Sequence, residues 1–172
     1  MTAVLPTLGS AALIAALIAY VMSWISYGGI DQKDPDPGLQ KSRKFMFLAM
    51  SSLGVAGAAL LWLLFAHAYQ VEYVYAHVSN ELPALYILSA FWAGQEGSFL
   101  IWAILAAVLG YLLTRYSGEW EVPVMRVYLP SAAVLVFLTL ISGLFTLLPQ
   151  IPSEGAGLNP LLRDPWMAIH PP

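Results

Sequence analysis

The sequence F-M-F-L-A-M-S-S-L-G-V-A-G-A-A-L-L-W-L-L-F-A-H-A-Y fills Phe45–Tyr69 without a single Asp, Glu, Lys or Arg. A helix needs about 20 apolar residues to cross a bilayer, so this run predicts a membrane span. Gly54 and Gly57 give it a small-residue face for close helix packing. The whole chain has the same character, with 59% hydrophobic residues, 10% charged residues and a mean hydropathy of +0.72. These values predict an all-α integral membrane protein.

Further apolar runs lie on both sides of this one. Together with 45–69 they predict about four transmembrane helices, the other three at about 5–27, 98–114 and 127–148. The first run is longer than the apolar core of a signal peptide and no Lys or Arg precedes it, so we expect it to remain as a helix. Pro149 and Pro152 are expected to end the last span. Leu85–Ala93 predicts a short interfacial or re-entrant helix, and residues 1–172 are expected to form a single membrane domain.

Basic residues are distributed unequally between the loops, and this predicts an orientation. Six lie in or beside the first and third loops: Lys33, Lys41, Arg43, Lys44, Arg115 and Arg126. The remaining basic residue is Arg163. Because cytoplasmic loops carry an excess of Lys and Arg, we expect both termini and the loops 70–97 and 149–172 to lie outside. In a Gram-negative cell the spans would then cross the inner membrane and these loops would face the periplasm.

Composition argues against several classes of site. The chain has no Cys, so it forms no disulfide, binds no metal through thiolate and accepts no thioether itself. No charged residue falls at the centre of a predicted span, which argues against a proton channel or an ion-coupled transporter. The sequence shows no catalytic triad, phosphate-binding loop or paired intramembrane carboxylates. A net charge of −3 is too small to indicate nucleic acid as a partner.

The last stretch of the chain concentrates polar groups and prolines. It reads L-N-P-L-L-R-D-P-W-M-A-I-H-P-P over Leu158–Pro172. Asn-Pro at 159–160 and Asp-Pro at 164–165 each place a capping residue before a proline, which predicts two short helical turns. Trp166 and His170 stand four residues apart and would share one face of the second turn. The proline after His170 favours an extended backbone there, so the imidazole is predicted to lie on a stiffened loop.

A second motif, W-A-G-Q-E-G-S-F-L-I-W, covers Trp92–Trp102. A span that enters the membrane here has unpaired N–H groups in its first turn. Ser98 is predicted to cap them, and Glu96 is predicted to lie at the positive end of the helix dipole. Capping alone is a sufficient explanation of Glu96. Trp92 and Trp102 can likewise be explained as aromatic residues of the kind that membrane proteins carry at the membrane surface.

Both motifs resemble the CcmF family, the large membrane subunit of the haem lyase that matures c-type cytochromes. The pattern P-x-E-G-x-x-L-N-P-L-L-x-D-P-x-x-x-I-H-P-P at 152–172 is similar to the periplasmic loop of that family. The pattern around Glu96 is similar to the segment before its third span, with Ala93 in place of a glycine. Ala156 and Gly157 stand where the family is expected to have charged residues. The resemblance extends over the first part of the family's length, without its W-W-D motif, so the chain is expected to be a fragment or one product of a split gene.

The resemblance implies a substrate, a ligand and partners. His170 matches a proposed axial ligand of periplasmic haem, so it is expected to bind the iron of haem b, with Trp166, Trp92 and Trp102 near the porphyrin. The implied partners are the remaining CcmF polypeptide, the haem chaperone CcmE, CcmH and apocytochrome c. The alternative function is a non-catalytic membrane scaffold or assembly subunit without haem contact. His67 and His77 match no family motif and are interpreted as a span-end residue and a loop residue.

Overall fold

The computed structural model describes residues 4–30, 36–163 and Trp166. These residues form six α-helices: α1 Val4–Gly28, α2 Asp36–Phe65, α3 Glu72–His77, α4 Ala84–Ala93, α5 Gln95–Tyr116 and α6 Glu121–Ile141. Gly118–Trp120 and Pro160–Arg163 add two short 3-10 turns. Four of the helices, α1, α2, α5 and α6, are long and apolar enough to cross a membrane. The predicted all-α architecture of four spans and a short apolar helix is therefore confirmed, and α3 is an additional short helix.

The four long helices form a closed bundle in which each span has two neighbours. α1 packs against α2 and α6, and α5 packs against the same two helices. Small side chains such as Ala16, Ala49 and Ala56 are fully buried between them. Small residues allow membrane helices to approach closely, which explains why alanine rather than leucine fills much of this core. Gly57 follows the same rule, since a Cβ there would lie 2.9 Å from Cδ1 of Ile104.

The ends of the spans differ from the predicted ones. α2 begins nine residues before Phe45, at Asp36, and ends at Phe65 before His67, whose φ is +50°. α5 extends the predicted 98–114 at both ends, and α6 both begins and ends earlier than the predicted 127–148. The assignment of Pro149 and Pro152 as the residues that end the last span is wrong. The helix ends at Ile141 because Gly143 adopts a φ of +75°, a left-handed conformation that commonly terminates helices.

One end of the bundle carries most of the basic residues, and we call it the basic end. Here α1 and α5 finish, α2 and α6 begin, and the described cations are Lys41, Arg43, Lys44, Arg115 and Arg126. The opposite end, which we call the loop end, holds residues 66–97 and 142–163. The loop end is where both sequence motifs begin.

A buried carboxylate joins three spans at the basic end. The Glu121 side chain is 3% exposed and accepts hydrogen bonds from Arg43, with a distance of 2.9 Å from Arg43 Nε. The Tyr27 hydroxyl donates a third hydrogen bond to Glu121 Oε1 at 2.7 Å. A charge buried in this way needs a hydrogen-bonded partner, and the two-pronged Arg–carboxylate pair supplies one. Glu121 lies between the predicted spans 98–114 and 127–148, so the sequence places it in a loop and does not reveal this cluster.

Candidate functional site

The loop end is built around the joint between α4 and α5. Gly94 separates the two helices with an extended backbone, at φ −101° and ψ 165°. The Tyr73 hydroxyl lies in the joint, where it donates to Ala90 O at 2.8 Å and accepts from Gly94 N at 3.2 Å. Burial raises the pKa of the Tyr73 hydroxyl above its ordinary value. One side chain from α3 therefore satisfies a carbonyl of α4 and the N–H of the residue that separates the two helices.

Gly97 allows the backbone of α5 to reach the end of α4. A Cβ at this position would lie 2.0 Å from Phe91 O and 2.3 Å from the Tyr73 hydroxyl oxygen. Both distances are far inside van der Waals contact, and one of the two neighbours is main chain. The E-G-S part of the motif therefore has a packing explanation, because glycine alone fits between the helices.

The predicted capping role of Ser98 is wrong. α5 begins at Gln95, and its N-cap, Gly94, provides no side-chain hydrogen bond. The Ser98 hydroxyl instead donates to Trp92 O at 2.9 Å and so ties the first turn of α5 to the end of α4. Glu96 lies in the first turn of α5, as expected, where the positive end of the helix dipole stabilises its negative charge.

Polar side chains surround a small recess beside the joint. It has a volume of about 150 Å³ and is lined by Glu72, Tyr73, Ala76, His77, Glu96, Ser142 and Gly143. His77 ends α3 and does not lie in a loop, which corrects its sequence assignment. Its ring lies 4.3 Å from the Tyr73 ring, and its Nδ1 lies 2.8 Å from Tyr73 O. Within the described part of the chain, no group of three or more His, Asp or Glu side chains is arranged to hold a metal ion.

The segment after α6 is held against α3 and the strand-like residues before it. Glu72 N donates to Thr146 O at 3.0 Å, and Leu148 N donates to Gln70 O at 2.8 Å. Farther along, Ala156 N donates to Tyr75 O at 2.8 Å. The Ala156–Tyr75 hydrogen bond joins the predicted loops 70–97 and 149–172, and the other two attach the residues just after α6 to the first of these loops.

Two glycines in the motif at 152–172 have structural roles. A Cβ on Gly155 would lie 1.9 Å from Val78 O, so glycine is required where this segment meets α3. Gly157 has a φ of +82°, a conformation that favours glycine. The family is expected to have charged residues at 156 and 157. In this chain the backbone conformation of Gly157 would be strained by any side chain. Leu158, 2% exposed, then anchors the segment in the core.

The first of the two predicted turns is confirmed. Pro160–Arg163 forms a 3-10 turn, and Asn159 Oδ1 accepts a hydrogen bond from Leu161 N at 3.0 Å. The second predicted turn and His170 lie outside the described residues. Trp166 is described and is 81% exposed.

The other two tryptophans occupy different surroundings. Trp92 is half-buried at the end of α4, and its carbonyl accepts the Ser98 hydrogen bond. Trp102 lies farther along α5 on the outside of the bundle, 46% exposed, with its ring 6.5 Å from that of Phe99. The structure thus brings Trp92 to the joint, together with Tyr73 and His77. Sequence reasoning missed Tyr73 because no spacing within the two motifs points to it.

The hydrogen bonds of the joint predict that removal of the Tyr73 hydroxyl lowers the stability of the chain. Tyr73→Phe should leave Ala90 O and Gly94 N–H buried without their partner and lower the free energy of unfolding by about 1–3 kcal/mol. Denaturation of the purified chain in detergent micelles measures this change. Tyr75→Phe is the matched control, because the Tyr75 hydroxyl forms no hydrogen bond to any described residue. Equal stability of the two variants would contradict this account of the joint.

Comparison with known proteins identifies relatives over nearly the whole chain. A family described as Cytochrome C assembly protein matches residues 92–172. The cytochrome c-type biogenesis protein CcmF of Pseudomonas aeruginosa is 34% identical over 98% of this chain, and that of Escherichia coli K12 is 30% identical over 98%. The solved structure of a cytochrome c haem lyase CcmF has a TM-score of 0.67 and 22% identity over 98% of this chain. The chain spans 26% of the length of the Pseudomonas relative, 27% of the Escherichia relative and 26% of the solved chain.

Proposed function

Because the chain belongs to the CcmF family of cytochrome c-type biogenesis proteins, we propose that it forms part of a haem lyase. In this role it helps to hold haem b, the substrate, outside the membrane while haem is attached to apocytochrome c. Each apocytochrome thiol adds its sulfur and its hydrogen across one haem vinyl group, which forms a thioether without a leaving group. The nucleophiles come from the apocytochrome, consistent with the absence of Cys from this chain.

The observation that carries this proposal is the attachment of residues 155–158 to α3. The Ala156–Tyr75 hydrogen bond and the buried Leu158 fix the start of the Asn-Pro turn at the loop end. His170 follows Arg163 by a stretch that reaches at most roughly 25 Å when fully extended. This reach is consistent with a haem site at the loop end, which also carries the joint that contains Trp92.

The chemistry of this segment is suited to haem. A neutral imidazole is a common ligand of haem iron, and we assign that role to His170. Leu161 and Trp166 are 74% and 81% exposed, so the same segment presents apolar side chains that can cover a porphyrin face. We place Trp92 at the edge of the same haem surface. Trp102 is the least supported of the four proposed contacts, since it lies farther along α5 on the outside of the bundle.

We further propose that the loop end faces the periplasm and the basic end the cytoplasm. Five of the six described basic residues lie at the basic end, which fits the excess of Lys and Arg in cytoplasmic loops. A membrane-impermeant thiol reagent applied to spheroplasts should label Glu81→Cys and leave Gln40→Cys unlabelled, because both side chains are exposed but lie at opposite ends. Labelling of Gln40→Cys in intact spheroplasts would reverse the orientation.

The proposed partners are the remaining CcmF polypeptide, CcmE, CcmH and apocytochrome c. The second candidate is a membrane scaffold without haem contact. It is favoured by the joint itself, where the polar atoms of Tyr73 and Ser98 are all used to bind backbone groups. A scaffold would be needed for assembly of the complex but would not change how haem is held.

Complementation separates the two functions. In a strain that lacks CcmF, the chain and the remaining CcmF polypeptide together should restore holocytochrome c, measured by haem staining of membrane proteins. The complex purified with the chain should also contain more haem per CcmF remainder than the remainder purified alone. If the remainder alone holds the same amount of haem but accumulates poorly, the scaffold function is correct. If the remainder alone matures cytochromes normally, the chain has neither role.

A further inference from the structure

A groove runs along the outside of the bundle from its basic end, between α2 and α5. Its volume is about 530 Å³. Gln40, Arg43 and Lys44 line the part nearest the basic end. Phe47, Leu48, Ser51 and Tyr111 line the part that continues toward the middle of the bundle. Since a helix rises 1.5 Å per residue, roughly 10 Å along α2 separates Lys44 from Ser51.

The charged rim of the groove is positive. Arg43 is paired with Glu121, whereas Lys44 forms no ion pair with a carboxylate among residues 36–163. Arg115 adds a second cation, because its guanidinium carbon lies 5.9 Å from the centre of the Tyr111 ring. Over the same residues, Arg115 also has no carboxylate partner. Two cations without an acidic partner therefore flank one end of the groove.

The remainder of the groove is apolar and open to the surroundings of the bundle. Phe47 is 54% exposed and Leu48 is 50% exposed, although both lie within a span. The rings of Phe47 and Tyr111 lie 6.4 Å apart and connect the walls contributed by α2 and α5. A hydrocarbon chain can lie along such a surface in the bilayer, with a charged group held at the rim.

We propose that this groove binds one anionic phospholipid. Its phosphate lies between Lys44, Arg115 and Gln40, and one acyl chain lies along Phe47, Leu48 and Tyr111. Basic pockets between membrane helices bind anionic head groups through this combination of charge and apolar contact. A partner helix fits the groove less well, because it would bury Lys44 and Arg115 away from water unless it brought carboxylates of its own. A lipid phosphate brings the negative charge and remains hydrated.

The proposal is tested on the full 172-residue chain, purified in detergent and freed of lipid. Native mass spectrometry measures the affinities for phosphatidylglycerol and for phosphatidylcholine of the same chain length. We expect phosphatidylglycerol to bind more tightly. Lys44→Gln and Arg115→Gln should each weaken its binding about fivefold, the effect of about 1 kcal/mol per cation. Lys41→Gln, an exposed cation on the same helix that does not line the groove, should have no effect.

Two further arms identify the source of the phosphate. Ser51→Trp fills the apolar part of the groove and leaves the cations in place, so it should weaken phosphatidylglycerol binding as well. Inorganic phosphate at millimolar concentration should not displace the lipid. Full displacement by phosphate, or unchanged binding by Ser51→Trp, would show a simple anion site and overturn the proposal. Equal affinity for the two lipids would also overturn the proposal, as would an equal effect of Lys41→Gln and Lys44→Gln. Either result would favour a partner helix as the occupant of the groove.

Discussion

His170→Ala should lower holocytochrome c formation by about tenfold or more when the chain is expressed with the rest of the haem lyase. The reason is that the proposed haem-iron ligand is lost, while the four described spans all end before His170 in the sequence. The amount of chain in the membrane should therefore stay the same. Haem-stained gels measure the product, and immunoblots of membrane fractions measure the chain.

Added imidazole distinguishes a ligand from a packing residue. Free imidazole can occupy a vacant coordination position, so it should partly restore cytochrome maturation in the alanine variant. It would not restore a lost side-chain contact in a protein interior.

His67→Asn is the control for His170→Ala. His67 also lies at the loop end, and asparagine tolerates its φ of +50° better than alanine does. The control should mature cytochromes like the unmodified chain. Equal activity of the two variants, or a loss in both, would remove the ligand assignment and favour the scaffold function.

Gly97→Ala should have the largest effect on stability. The added Cβ would lie 2.0 Å from Phe91 O, and the α4–α5 joint would have to open to accommodate it. Overpacking of a core typically costs about 1–3 kcal/mol. Here the neighbour is a backbone carbonyl next to a buried hydroxyl, so we expect a loss of about 3 kcal/mol or more in the free energy of unfolding. Denaturation in detergent micelles and the level of chain in membranes measure the loss.

Gly54→Ala provides a matched control within α2. No atom lies within 4 Å of the Cβ that it would add, so the predicted close packing at Gly54 is wrong, and the residue is in the middle of a helix. Helix propensity then favours alanine by up to about 1 kcal/mol. Gly54→Ala should thus be neutral or stabilising. If Gly97→Ala were equally well tolerated, the close approach at the joint would not be needed for the fold.

The sequence predicted the spans well because long apolar runs are a direct consequence of a hydrocarbon environment. It predicted their ends less well, since hydropathy reports which residues enter lipid and not where the helical backbone stops. Lys41 and Lys44 illustrate this, because they were assigned to a loop yet lie within α2. Likewise, the prolines at 149 and 152 are strong local signals, but the conformation of Gly143 had already ended α6.

The polar interior of the candidate site was less predictable than its motifs. The turn at Pro160–Arg163 was predicted correctly because an Asn-Pro cap is a local interaction. Ser98 was misassigned because its partner, Trp92 O, belongs to a different helix. Tyr73 was missed for the same reason, since its hydroxyl acts on residues brought close only by the tertiary fold. Single-sequence patterns describe neighbours along the chain, and the joint is made by neighbours in space.

The buried Glu121 at the start of α6 makes the packing of this helix depend on residues of the first two spans. An unpaired carboxylate in that position costs several kcal/mol, so α6 can settle only against a surface that already presents Arg43 and Tyr27. Synthesis from the N-terminus delivers α1 and α2 first and completes that receptor before α6 leaves the ribosome. We therefore expect α1 and α2 to pack together first and the hairpin of α5 and α6 to dock on them afterwards.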